Sequence, residues 1–196
     1  MFEKWAISFA NYIKQVNPEE TEPHDVLVYG FTILFNLLFT FLCIFSIGWA
    51  LGVPFLAVQV AVSFTILRIL TGGAHLDQSL ACSLTSFVLI FLFILLPQDP
   101  YIIWGTGIIG FLFILMFAPY YEEHQLKHSK KWEMKKKLVA VLWVIAAFTM
   151  YMLFSHQGYL SGVFLQGLML TPYGIKITHR FNKMITNGGE RNEKVS

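Results

Sequence analysis

This chain of 196 residues is poor in charge: Asp, Glu, Lys and Arg make up 13% of it, where a soluble globular domain carries about a quarter. From Val26 to Leu67 no side chain is charged. That run is longer than one membrane crossing, which takes about 20 residues. Cysteine is equally scarce. With Cys43 inside the apolar run and Cys82 the only other thiol, a disulfide framework is excluded in practice. The N-terminus lacks the basic start and uninterrupted apolar core of a secretory signal. No internal repeat is present, and no nucleic-acid partner is expected.

What the chain has instead is hydrophobic sequence, 56% of its residues, arranged in separable stretches. Gly48, Gly52 and Pro54 punctuate the first run, which places spans at about 26–47 and 53–69. Two more, about 80–96 and 101–118, flank the tight turn Pro97-Gln98-Asp99-Pro100. A fifth covers about 138–154. The sixth, about 159–175, carries Gly158, Gly162, Gly167 and Pro172, residues commoner in membrane helices than in soluble ones. The expected fold is all-α: a polytopic integral membrane protein of about six transmembrane helices, one membrane domain over 1–180 and a polar tail over 181–196. Before the first span, Phe2, Trp5, Ala6, Phe9, Ile13 and Val16 share a helical stripe. Residues 1–16 therefore read as an amphipathic helix lying in the interface, an anchor that packs beside the bundle.

Lys and Arg in short loops stay on the cytoplasmic side. With six spans and the N-terminus inside, the outer connections hold no Lys or Arg, and all fourteen basic residues face inward. The termini and Cys82 are then cytoplasmic. The polar loop over 119–137 gathers Lys127, Lys130, Lys131, Lys135, Lys136 and Lys137, which sets topology and attracts anionic lipid or an acidic peptide.

The stretch Arg68 to Cys82, RILTGGAHLDQSLAC, carries the chemistry. A thiol beside an imidazole is the minimal pair for nucleophilic acyl transfer, because the imidazole takes the thiol proton. Seven residues on one straight helix would separate His75 and Cys82 by about 10 Å along the axis, beyond hydrogen-bond reach. Gly72 and Gly73 tolerate the backbone angles of a break. Asp77 or Ser79 would cap a new helix, leaving Cys82 near its N-terminus, where the dipole favours a thiolate. Arg68 would add positive charge or hold a substrate carboxylate or carbonyl.

Arg68, Gly72, Gly73, His75 and Cys82, together with the hydrophobic layout and the lysine-rich loop, resemble the accessory gene regulator B family, membrane cysteine endopeptidases of bacterial quorum sensing. The resemblance implies cleavage of a small pro-peptide with Cys82 as nucleophile and His75 as base, followed by closure of a thiolactone by a substrate cysteine. It implies a substrate with an acidic tail that the basic loop would bind, a homodimer in the bacterial cell membrane, and no metal or other cofactor. Asp77 is the candidate to orient His75, though it serves equally as a cap. Amides around Ser79 to Cys82, or Arg68, are the candidates for holding the oxyanion.

Two rival classes remain at this level. Glu122, Glu123, His124 and His128 mimic a metal site, with the two histidines at i and i+4, but the neighbouring lysines repel a cation and the four suit a solvated helix face. A non-catalytic exporter or assembly partner would line a path with intramembrane polar groups. The spans offer only isolated Gln59, Gln166 and Ser/Thr residues, poor material for a relay.

Overall fold

A computed structural model describes residues 2–74, 76, 78–95, 99–121 and 129–193, with the side chains of Ser79 and of 185–193 excepted. The described residues form eight helices: α1 (Phe2–Val16), α2 (His24–Ala50), α3 (Pro54–Thr71), α4 (Ser79–Ile94), α5 (Pro100–Phe117), α6 (Lys130–Phe154), α7 (Gly158–Leu170) and α8 (Pro172–Glu193). No sheet is present among them, only an isolated parallel bridge between Gly72 and Tyr120. Local chemistry sets several helix starts. Pro54 and Pro100 occupy first turns, where a missing N–H costs nothing, and Asp99 accepts from the amides of Tyr101 (2.9 Å) and Ile102 (3.3 Å) as an N-cap.

Four helices, α2, α3, α5 and α6, are long and apolar enough to cross a membrane, while α4 and α7 are shorter apolar helices. At 1.5 Å per residue, the 13 residues of α7 reach about 20 Å, short of the roughly 30 Å hydrocarbon core. The described residues thus form an all-helical membrane protein in which four helices have full spanning length and two of the about six expected spans, α4 and α7, are shorter apolar helices. Leu38, Leu42, Phe45 and Trp49 of α2 are exposed, and an apolar face of that extent suits lipid rather than water. Helix α6 begins at Lys130, eight residues before the expected span, because Lys, Glu and Met are good helix formers. Lys130 to Lys137 are therefore the first two turns of a helix rather than part of a loop. At the other end, the expected sixth span divides at Thr171 into α7 and α8.

Helix α7 is the centre of the bundle, with Leu160, Val163, Leu165 and Leu170 all fully buried. Small residues let its neighbours approach closely. A Cβ at Gly162 would lie 2.7 Å from the Val60 carbonyl oxygen on α3, and one at Gly167 would lie 2.6 Å from the Gly110 oxygen on α5. Contacts fix the helix directions. Gln59 meets the amide of Gly158 (3.2 Å) and Thr71 meets Gln166 (2.7 Å), so α3 and α7 run parallel. Ser63 bonds Trp143 (3.2 Å) while Gln59 bonds His156 (3.1 Å), so α3 and α6 run antiparallel.

Helix α1 lies along α2. Phe2, Ala6 and Ala10 are buried, and the rings of Phe2 and Phe39 are 5.2 Å apart and those of Phe9 and Phe35 5.4 Å. Trp5 and Phe9 of the expected stripe stay about half exposed, and Val16 is more exposed still.

Candidate functional site around Cys82

Helix α3 ends where the glycine pair stands. Gly72 has φ +74° and Gly73 φ +128°, values that favour glycine. Space excludes a side chain as well: a Cβ on Gly72 would fall on the Tyr120 carbonyl oxygen, and one on Gly73 on the Arg68 guanidinium. Hydrogen bonds hold the bend. The Gly72 amide donates to Arg68 O (3.0 Å), Gly73 N–H to Tyr120 O (3.0 Å), and Tyr120 N–H to Thr71 O (2.9 Å). Arg68 folds back from the last turn of α3, and its Nη2 donates to the Ala74 carbonyl.

Helix α4 then starts at Ser79. Gln78 occupies the N-cap position with no side-chain capping bond, so the expected cap by Ser79 gives way to Ser79 as first helical residue. The Cys82 amide donates to Gln78 O (3.0 Å). That bond opens the helical ladder and places the thiol on the first turn. Cys82 is half-buried and free.

Cys82 lines a cavity of about 510 Å³ whose walls are mostly apolar. Phe64 and Arg68 come from α3, Thr85 and Leu89 from α4, Met169 from the end of α7, and Tyr173, Ile177 and Phe181 from α8. Ala74 and Leu76, the chain neighbours of His75, are both buried and line the same space. His75 and Asp77 lie outside the described residues, as do Lys127, Glu122, Glu123, His124 and His128. The structure therefore unites Arg68, Ala74 just past the glycine bend, and Cys82 around one cavity. Cys43 lies elsewhere, in a separate shallow pocket between α2 and Phe87.

The basic cluster is tied to this bend through Tyr120 and Tyr121. Lys130, Lys131 and Lys135 are exposed on α6, Lys137 Nζ donates to Leu115 O (2.8 Å), and Lys136 Nζ sits 5.6 Å above the Tyr121 ring. Burial, and secondarily the Glu133 carboxylate, push the Tyr121 phenol above its ordinary value, so it stays neutral at physiological pH. Three contributors escaped the sequence reading. Tyr120 gives no local signal for its strand-like pairing with Gly72. Gln166 stood out only as an isolated polar residue. The wall supplied by α8 was legible in principle, because Tyr173, Ile177, Phe181 and Met184 alternate at helical spacing with Lys176, Arg180 and Lys183.

Compared with known proteins, residues 6–171 match the profile of the family described as accessory gene regulator B. A relative described as AgrB-like, from Halalkalibacterium halodurans, is 44% identical over 197 residues, covering the whole of both chains. No solved structure matches the chain.

Proposed function

The chain belongs to the accessory gene regulator B family, and from that premise we propose that it is a membrane cysteine endopeptidase that processes a small signalling pro-peptide for quorum sensing. The observation that supports this reading best is the opening of Cys82 into the cavity shared with Arg68 and the neighbours of His75. In this reading His75 takes the Cys82 proton and the thiolate attacks the carbonyl carbon of the scissile peptide bond. The C–N bond breaks, and the acidic tail leaves as an amine protonated by the imidazolium. The acyl group stays on Cys82 as a thioester. A substrate cysteine then attacks that thioester, closes a thiolactone and returns the thiol to Cys82. Water would hydrolyse the acyl-enzyme, so an apolar cavity around the sulfur favours ring closure. Amides at the start of α4, or the Arg68 guanidinium, stabilise the oxyanion.

The same reading places six crossings in the bacterial cell membrane, with α1 in the cytoplasmic interface, both termini cytoplasmic, and two copies in a homodimer. The alternating helix directions are consistent with that count. Trapping tests site and orientation together. A pro-peptide whose ring-closing cysteine is Ala, added to inside-out vesicles, is expected to leave on Cys82 an adduct that lacks the tail mass and is released by hydroxylamine. No adduct in either vesicle orientation refutes the acyl-enzyme, and an adduct formed only in right-side-out vesicles reverses the orientation.

Lys130, Lys131, Lys135, Lys136 and Lys137 are proposed to hold the acidic tail. Exposed charges act over about 8–10 Å at physiological salt, so they contribute to capture more than to chemistry. Replacing Lys135, Lys136 and Lys137 by Gln is expected to raise KM several-fold, more at low salt than at high, with kcat little changed. An unaltered KM would reduce these lysines to topology signals.

A further inference from the structure

Gln166 is fully buried in the middle of the apolar helix α7. An amide in such surroundings is costly unless its hydrogen bonds are met, and both of its donor bonds go to one place. Nε2 donates to Thr71 Oγ1 at 2.7 Å and to the Gly72 carbonyl at 3.0 Å. The Thr71 hydroxyl in turn donates to Leu67 O at 2.7 Å. Gln166 Oε1 has no hydrogen-bond partner among the described residues.

Thr71 and Gly72 are the last helical residue and the C-cap of α3, where terminal carbonyls lose their intrahelical donors. The structure meets that need with a side chain from a helix 94 residues further along the chain. The Tyr120 backbone also grips Thr71 O and Gly73 N. The bend is thus clamped between α7 and the segment after α5, and Ala74 is drawn onto Arg68. An ordinary helix end needs only water at these carbonyls. A two-pronged amide brought in from the bundle centre fixes a direction, the course of the chain toward residue 75.

We propose that Gln166 is a positioning residue for the reaction at Cys82, its amide holding Thr71 and Gly72 so that the chain leaving the glycine bend enters the cavity at a fixed angle. The proposal rests on the reading of His75 as the base for Cys82. Its reach is geometric: displacement of a catalytic group by about 1 Å can cost up to about 100-fold in rate.

The test uses the full chain in a Cys43→Ala background, with iodoacetamide as the probe, so no pro-peptide is needed. Alkylation of Cys82 at pH 7 reads how well a base assists the thiol, whereas the rate at pH 10 reads access alone. Wild type is expected to react at pH 7 about tenfold faster than His75→Ala, with equal rates at pH 10. Gln166→Met, which keeps the side-chain length and removes the donors, is expected to lose most of that pH 7 advantage while keeping the pH 10 rate. Thr71→Val, which removes one of the two acceptors, loses part of it, and the double variant loses no more than Gln166→Met alone.

A folded Gln166→Met that reacts like wild type at both pH values overturns the proposal. So does a rate lowered equally at both, which marks a purely structural residue. If Gln166→Met does not accumulate, Thr71→Val decides by the same two criteria. Equal pH 7 rates for wild type and His75→Ala refute the thiol–imidazole pairing itself and take this proposal with it, a failure distinct from loss of the Gln166 effect alone.

Discussion

Replacing Cys82 by Ala is expected to abolish pro-peptide cleavage, and replacing Cys43 by Ala to leave it nearly intact. The two thiols differ in placement. Cys82 is on the first turn of α4 and faces the cavity that also holds Arg68, Ala74 and Leu76, whereas Cys43 is in the body of α2 against Phe87. Loss of the nucleophile removes the acyl-enzyme outright. Loss of the base leaves an intact but poorly activated thiol, so His75→Ala is expected to fall by about 10²- to 10⁴-fold, the usual share of proton transfer. Single-turnover cleavage of a tail-labelled peptide measures all three variants. Cleavage that persists in Cys82→Ala would sink the mechanism, and equal losses at Cys43 and Cys82 would point to a fold defect instead.

Gly72→Ala is expected to be the most damaging single-methyl change in the chain. The backbone there has φ +74° and ψ −146°, a region closed to L side chains, and holding a non-glycine residue in it costs on the order of 1–3 kcal/mol. The added Cβ also meets the Tyr120 carbonyl oxygen, the acceptor for Gly73 N–H. Relief requires parting the segment after α5 from the end of α3, which breaks the bridge and shifts Ala74, a wall of the Cys82 cavity. Processing should fall by at least about 100-fold, with a lowered unfolding temperature in detergent. Gly52 is the control. It too has positive φ, +73°, but a Cβ there meets open space, so Gly52→Ala carries strain alone and keeps activity. Equal activity of the two variants would show that the Tyr120 contact is dispensable.

What the sequence revealed was what local chemistry controls. Long uncharged runs gave the apolar helices, Gly72 and Gly73 the break, and the offset from that break put Cys82 at a helix start. What stayed hidden depends on partners remote in sequence. Nothing near Gly72 announces Tyr120, and nothing near Gln166 announces Thr71. Isolated polar residues in apolar helices read as scattered, yet Gln59, Ser63 and Gln166 all cross-link α3, to the α6–α7 turn, the first turn of α7 and Trp143 of α6 at one end and to α7 at the other. The division at Thr171 was masked because Leu170 and Ile175 continue the apolar pattern across Pro172. The charge of Lys130 to Lys137 reads as a loop, whereas their helix propensity extends α6.

The brevity of α7 has a bearing on the lipid around the site. Two of the helices that build the Cys82 cavity, α4 with 16 residues and α7 with 13, span about 24 and 20 Å, against about 40 Å for the 27 residues of α2. Taken as crossings, they leave the cavity side of the bundle thinner than the bilayer that surrounds it. A bilayer meets such mismatch by compressing toward the short elements, at a fraction of a kcal/mol per Å. Headgroups and interfacial water are then drawn down toward the first turn of α4. In the proposed reading the thiol then lies nearer the headgroups than a bilayer of uniform thickness would place it, and acyl-chain length, which sets the depth of that compression, becomes a physical variable of the proposed reaction.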